Sequence, residues 1–574
     1  MRAVVVFILL MLGGITIIKA EGWLYKDGHS DYIIVISAQA SLTEQTVARE
    51  LQHYIHQAGG PILRISNTPE RKRKHIYIGF NSFVAALTGK SQPSDSDEGF
   101  VYMTADDNLV IYGGRDRGTS YGVYAFLEHQ MGVRWYSSDF TKIPKRSSFY
   151  LRDMSHSESP AFRYRNVLYY QMQHDMALDA HNLLNTHIGY VDDVAYGKFF
   201  SFWETHTFNL LIPPEKYFHG HPEYFSLFRG ERISNGQLCL SNPQVVRLLA
   251  ERIAQVIRQN PEYLAYSVSQ NDNMFCCECQ NCQAKVALYG SQSGLLLWAV
   301  NQVADLIAVD FPDAKIVTLA YQYSRHAPKG IKPHRNVYVR LCDIECCFLH
   351  TIDAAENSAF MADLREWSKL TSNLFVFDYV TGFHQFLAPF PNFPILSQNL
   401  SVFSKYQVCG VLEEGQYNSN GGEFAELKQW VLAKLLWNPH QDAMLLARQF
   451  IDDYYGVASS DIRKYWELYC GLVTEQTHAR YNVSHDNAMY TDEFIRRGEK
   501  ILEHALKVSR HDSVISRRVE HVLAQIWYLQ MMRNLGKATT KKIQRLKQVL
   551  RRDGIYLREG ISPHDFFAAD DNNQ

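Results

Sequence analysis

The chain has 574 residues, 46% of them hydrophobic and 21% charged, with a formal net charge of −2. That is an ordinary globular balance with room for three or four domains of roughly 150 residues each. The near-neutral charge excludes a chain built to coat nucleic acid or an anionic membrane surface.

Arg2, the uncharged stretch 3–18 and Lys19-Ala20 predict a secretory signal, 1–20, cleaved after Ala20, because the apolar run is short for a membrane span and ends in a small residue. No later stretch has the roughly 18 apolar residues of a span. The mature protein is therefore expected to be secreted or periplasmic, without a transmembrane anchor. Asn399-Leu-Ser and Asn482-Val-Ser are glycosylation sequons.

A strand at 31–37 is followed by a helix at 43–58, with Val47, Leu51, Ile55 and Ala58 on one face and Gly59-Gly60 as its stop. Strand-like runs follow at 62–65, 75–78, 100–103 and 109–112, the last two joined by the hairpin-like Asp106-Asp107-Asn108. Gly113-Gly114 then leads to a helix at 119–131, closed by Gly132. These elements predict a small α/β sandwich-like domain over 21–155. The glycine-rich run from Gly113 to Gly118 lacks the Lys-Ser/Thr of a phosphate loop and is read as a turn of the chain.

From Phe162 strands alternate with helices, as in a parallel α/β architecture. Strands are predicted at 164–170, 183–188, 207–212, 263–268, 315–321, 336–341, 373–379 and 408–413, with helices at 245–259, 295–309, 360–370 and 396–406. Asn242-Pro243 supplies the cap and first turn of the 245–259 helix. Eight strands predict a (β/α)8 barrel over 156–422, ahead of a doubly wound open sheet. Beyond Gly422 the pattern is helical: 424–437, 443–455, 462–474, 491–508, 513–535 and 541–551 form a predicted C-terminal helical domain over 423–574.

Three predicted strands run out into acids: Asp272 in Gln270-Asn271-Asp272-Asn273, Asp378 in Phe375-Val-Phe-Asp378, and the pair Glu413-Glu414. A barrel strand ending in an acid presents it at the C-terminal mouth. Glycosidic cleavage needs two such groups, one to protonate the leaving oxygen and one to activate water or stabilise the oxocarbenium-like centre. Asp343 and Glu345 are a fourth set, equally suited to a structural role. Trp203, Glu204, His206, Asn271, Tyr379, His384 and Tyr417 cluster at the same predicted end and are candidates to stack on sugar faces or hold hydroxyls.

Ten cysteines include Cys277-Glu-Cys279-Gln-Asn-Cys282, which with Cys239 could make a four-thiolate zinc site or, in an exported chain, disulfides. Free buried thiols are the third alternative. No cofactor is required for carboxylate catalysis, and a catalytic zinc is disfavoured because all-thiolate sites are closed.

Ile111-Tyr-Gly-Gly-Arg-Asp-Arg-Gly118 through Glu128, with Gly132-Val-Arg-Trp-Tyr136, resembles the accessory domain ahead of the barrel in family 67 α-glucuronidases and family 20 hexosaminidases. His221-Pro-Glu-Tyr-Phe225, Gln237-Leu-Cys-Leu-Ser-Asn-Pro243, the Asn271-Asp272-Asn273 cysteine segment, Pro389-Phe-Pro-Asn392 and Lys434-Leu-Leu-Trp-Asn-Pro439 resemble the secreted group that includes glycoside hydrolase family 163. This resemblance spans roughly 30–460 and implies endo-β-N-acetylglucosaminidase-like action on oligosaccharides or glycoprotein N-glycans. Asp272, Asp378 and Glu413 fall where that pattern has acids, whereas Glu414 stands where a variable polar residue is expected. On this basis Glu413 is expected to be the general acid/base. Asp378 would stabilise a substrate acetamide or activate water, and Asp272 would hold hydroxyls. The competing expectations are a carbohydrate-binding protein without catalysis and an α-glucuronidase-like hydrolase.

Overall fold

Strands with no polar alternation must be covered on both faces. In the computed structural model of the chain, which describes residues 22–189, 194–533 and 540–571, eight such strands line up in parallel. They are β1 Tyr164–Leu168, β2 Thr186–Ile188, β3 Phe200–Trp203, β4 Ala265–Ser267, β5 Lys315–Ala320, β6 Val337–Cys342, β7 Leu374–Tyr379 and β8 Gly410–Glu414. Their order is β1-β8-β7-β6-β5-β4-β3-β2, so the sheet curls into a barrel whose one unladdered seam lies between β1 and β2. Asn185 bridges that seam: its Oδ1 accepts from the Arg165 N–H at 2.9 Å and its Nδ2 donates to the Arg163 carbonyl at 2.8 Å.

Seven of the eight strands lie where the sequence predicts them. The exception is 207–212, where Phe208–Leu211 is a helical turn and the strand is the upstream Phe200–Trp203. Short apolar runs do not distinguish the two conformations. Left-handed backbone at Glu204 (φ 53°) and His206 (φ 57°) turns the chain between them. Long helices Pro243–Gln259, Gln292–Ala308, Ser358–Leu370, Phe393–Lys405 and Ala425–Trp437 follow β3, β4, β6, β7 and β8, whereas β5 is followed by only a 3-10 turn, Gln322–Ser324.

Two compact units divide the chain: Met1–Val133 with Ile143–Ser159, and Arg134–Lys142 with Pro160–Gln574. The signal segment expected at 1–20 lies outside the described residues. The first unit holds a six-stranded mixed sheet with Tyr32–Ile36, Lys74–Ile78 and Asn108–Gly113 adjacent and parallel, and Phe100–Ala105 antiparallel to the last. Helix Leu42–Gln57 opens with a capping box in which Ser41 and Glu44 satisfy each other's backbone N–H groups. In the glycine-rich run, a Cβ on Gly114 would stand 2.2 Å from the Asp97 carbonyl oxygen and one on Gly113 2.4 Å from Gly118. Backbone packs closely against this run, so only glycine fits at these two positions.

The second unit contains both the barrel and the C-terminal helices expected beyond 422. Their connections return to its mouth: Phe383 N–H donates to the Tyr481 carbonyl at 2.8 Å, and Glu559 N–H to that of Phe383 at 2.9 Å. A buried Lys428–Glu423 ion pair, with the Tyr469 hydroxyl on Glu423 at 2.6 Å, joins helix Ala425–Trp437 to helix Ser459–Cys470. Among the described residues no helix is long and apolar enough to cross a membrane.

Candidate active site

Which face of each strand looks into the barrel decides what its terminal acid can do. Tyr164, Phe202, Tyr338 and Phe375, from β1, β3, β6 and β7, meet as rings 5.1–6.4 Å apart, and the Arg340 guanidinium lies 4.3 Å from the Phe202 ring. These side chains fill the lumen. Gly410 shares their layer, since a Cβ there would meet Phe375 at 2.3 Å and Tyr164 at 2.7 Å. Counting in twos along β7 and β8 from Phe375 and Gly410, the inward residues are Phe377, Tyr379, Leu412 and Glu414. Asp378 and Glu413, paired across the two strands, face outward to the helices.

Glu414 therefore reaches the mouth, where a cavity of about 470 Å³ is lined by Asp272, Glu414 and Glu559 together with His206, Tyr321, Gln322, Tyr379, Phe383, Tyr417 and Tyr481. Burial, and then the negative charges of Glu559 and Asp272, hold the Glu414 carboxyl well above the usual carboxylate range. Asp272 accepts from the Tyr321 hydroxyl at 3.1 Å, which in turn accepts from Gln322 Nε2 at 2.9 Å. The Tyr417 hydroxyl donates to Glu559 at 2.6 Å. His206 Nδ1 stands 2.7 Å from the Gln270 carbonyl. A carbonyl only accepts, so Nδ1 carries the proton and a neutral His206 keeps Nε2 as an acceptor. Left-handed φ at His206 and at Gln322 (48°) places two cavity residues on strained backbone.

Of the residues singled out in the sequence, the structure brings Asp272, His206, Tyr379 and Tyr417 to this cavity. Asp378 and Glu413 come together, but not here: their exposures are 3% and 1%, and neither lines the cavity. Placing them at the mouth is corrected by the one-residue parity of β7 and β8. Asn271 is spent on structure, its Oδ1 accepting from Asn209 N–H at 3.0 Å and its Nδ2 donating to Asn209 Oδ1 and the Gly236 carbonyl at 2.9 Å. Trp203 follows the inward Phe202 and so faces the helices. Glu204 turns the chain, and the exposed His384 packs edge-on against Tyr481 at 6.0 Å; none of the three lines the cavity. Glu345 pairs with Arg325. The sequon residue Asn399 is buried in helix Phe393–Lys405 with its Oδ1 on the Ile352 N–H, which leaves no room for a glycan.

The outward acids form a trio with Asp343, which is fully buried. No N–H or O–H of another residue reaches the carboxyl oxygens of Asp343 or Glu413; each is hydrogen-bonded to Asp378. Asp378 also accepts from the Tyr379 N–H at 2.7 Å. Burial raises all three. Asp343 and Glu413 go well above their ordinary values, pushed up first by burial and then by the charge of Asp378. Asp378, stabilised as the acceptor, goes up to about 7. Contacting carboxyls cannot all ionise, and here two donate to the third.

A wider cleft of about 980 Å³, lined by Tyr170, His174, Arg517, Arg518, His521 and others, has its charges engaged. Arg517 and His521 pair with Asp553, and Arg518 with Asp139. It carries no strand-end acid. For a metal, Cys239, Cys277, Cys279 and Cys282 bring four sulfurs together.

Sequence reasoning did not find Tyr321, Gln322, Tyr481 or Glu559. Tyr321 closes the predicted strand 315–321 and could have been found as a strand-end residue. Tyr481 and Glu559 lie in connections of the helical region, where no strand pattern points to a mouth.

No curated protein matches the sequence. Among solved structures, the chain is similar to a family 115 4-O-methyl-α-glucuronidase, BtGH115A, described as specific for decorated arabinogalactans: TM-score 0.57, 12% identity, 91% of this chain and 76% of that one. It is also similar to CpGH84D, with TM-score 0.50, 9% identity, and 91% and 90% coverage. Likeness at such identities is a likeness of fold, and it agrees with a barrel carrying an N-terminal α/β unit and C-terminal helices. A family model described as "Domain of unknown function (DUF4838)" matches residues 135–467, from the hairpin ahead of the barrel to helix Ser459–Cys470, and the chain belongs to that family.

Proposed function

We propose that the protein is a glycoside hydrolase whose reaction centre is the barrel-mouth cavity, with Glu414 as the proton donor. One observation carries this: Glu414 is an inward, half-buried acid beside two other acids in an aromatic-lined hollow, its carboxyl pushed well above the usual carboxylate range by burial and then by those neighbours. A carboxyl that keeps its proton near pH 7 can give it to a departing glycosidic oxygen. Asp272, anchored by Tyr321, would supply the second function, stabilising the positive charge that grows at the sugar ring or orienting the group that attacks it. Tyr379, Phe383 and Tyr481 offer ring faces for a pyranose.

The lining also bears on the substrate. Among the described residues it holds three acids and no Lys or Arg, while Arg340 sits one layer deeper against Phe202. That charge disfavours a uronic acid and favours a neutral sugar, so the glucuronidase-like alternative is set aside. A β-linked N-acetylglucosaminide is neutral, and its assignment rests on the motif resemblance to family 163. With that substrate the acetamide would act as internal nucleophile and the configuration would be retained. Export, resting on the leader-like 1–20, belongs to the same proposal and is checked by sequencing the N-terminus of the mature protein.

The test is incubation with released N-glycans and a panel of neutral and uronic glycosides, read by mass spectrometry. New fragments from acetamido glycans, abolished in Glu414→Gln and Asp272→Asn, are expected. Wild-type turnover by Glu414→Gln would sink the assignment. Glycan binding without fragments would make the protein a binder.

A further inference from the structure

Cys239 lies on the loop ahead of helix Pro243–Gln259, and Cys277, Cys279 and Cys282 lie on the segment that follows Asp272. Their four sulfurs all fall within 4.8 Å of one another. Cys239 Sγ is 3.6 Å from Cys279 Sγ and 3.8 Å from Cys282 Sγ. All ten cysteines are free, so the four form one group rather than two bonded pairs. A tetrahedron with zinc–sulfur bonds of about 2.3 Å has sulfur–sulfur edges of about 3.8 Å, close to the two separations from Cys239 and within the span of the set.

The surroundings are those of thiolates. The Leu227 N–H donates to Cys277 Sγ at 3.3 Å, and Arg232 Nη1 approaches the same sulfur at 3.8 Å. The Ser241 hydroxyl lies 3.0 Å from Cys282 Sγ. Four thiolates around a divalent ion keep two net negative charges, which these donors and the guanidinium offset.

We propose that Cys239, Cys277, Cys279 and Cys282 bind one zinc ion as a closed tetrathiolate, and that this ion clamps the Asp272 segment to the loop carrying Gln237. All four positions are filled by protein, so the ion is structural and takes no part in bond cleavage. Gln237, two residues before Cys239, carries the clamp to the site. Its Nε2 donates to the Asn271 and Asn273 carbonyls at 2.8 Å and its Oε1 accepts from the Asn271 N–H at 2.9 Å, on either side of Asp272. Glu278 N–H to the Leu227 carbonyl, at 2.7 Å, ties the same two stretches a second time.

The proposal is read without any sugar substrate. Full-length protein purified without chelator is expected to contain one zinc per chain by elemental mass spectrometry, and Cys239→Ser and Cys282→Ser to fall to background. Cobalt(II) in its place is expected to show thiolate charge-transfer and tetrahedral d–d absorption. Stripping the zinc is expected to speed amide exchange across 269–283 while leaving β7 protected. Because wild-type metal content is measured directly, a misfolded variant cannot hide the answer. Wild-type protein without stoichiometric metal, with iron instead of zinc, or with disulfides among these four cysteines in a non-reducing peptide map would overturn the site. Unchanged exchange after stripping would overturn the clamp.

Discussion

Glu413 and Glu414 are adjacent in the chain, both are carboxyls raised by burial, and they stand on opposite sides of one strand. Glu414 joins Asp272 and Glu559 around an open hollow, whereas Glu413 joins Asp343 and Asp378 in a layer closed by helices. The first group opens onto the cavity, with tyrosine hydroxyls on Asp272 and Glu559; the second satisfies itself by sharing protons. A raised pKa marks both places, so only access separates an acid that can act on a ligand from one that can act only on stability.

The comparison breaks most decisively at the two glutamates. Glu414→Gln is expected to lower kcat by about 10²–10⁴-fold with little change in KM, the range for a lost general acid. Glu413→Gln, one residue away, is expected to leave kcat within about threefold, since it alters no group at the mouth. Steady-state kinetics on one glycoside, with folding checked by circular dichroism, measures both; equal losses would remove the distinction.

A second break concerns stability. The Asp378 pKa of about 7 in the fold lies above its ordinary 3.8. Between these values the native state binds more protons than the unfolded chain, so the group's stabilising contribution is present at acid pH and is lost as pH rises through that window. Each titrating group of this kind changes stability by up to about 1.4 kcal/mol per pH unit. Asp378→Asn is therefore expected to gain relative to wild type as pH rises from 4 to 7. Melting curves across that range check this, and parallel curves would refute it.

A finer cut lies inside the mouth. Glu559 is the leading charge that raises Glu414 after burial, so Glu559→Gln is expected to lower the Glu414 pKa. The basic limb of kcat/KM would then move to lower pH by on the order of one unit or less. The smallest effect is expected at Tyr417→Phe, which removes the 2.6 Å hydrogen bond to Glu559 and should raise KM by the equivalent of about 0.5–1.5 kcal/mol.

The fold was legible because its signals are local. Asn242-Pro243 starts a helix, glycines end others, and apolar runs of barrel length recur between them. Parity was not legible. Leu374-Phe-Val-Phe and Val411-Leu are apolar on both faces, and a strand covered on both sides carries no alternation to say which face is the lumen. Asp272 could be found because it follows β4 in a loop rather than sitting within a strand, where a slip of one residue reverses direction. One signal did exist: Gly410 has no side chain because Tyr164 and Phe375 press on it from inside the barrel, and counting in twos from that glycine reaches Glu414.

Two walls of the hollow, Tyr481 and Glu559, come from beyond residue 467, where the family match ends. The match thus covers the barrel with Asp272 and Glu414, while part of the rim lies outside it. On the ribosome, too, the pocket stays unfinished until almost the last helix has emerged, so a chain cut short after the barrel would keep Glu414 and Asp272 yet lack the Tyr481 and Glu559 walls of the hollow.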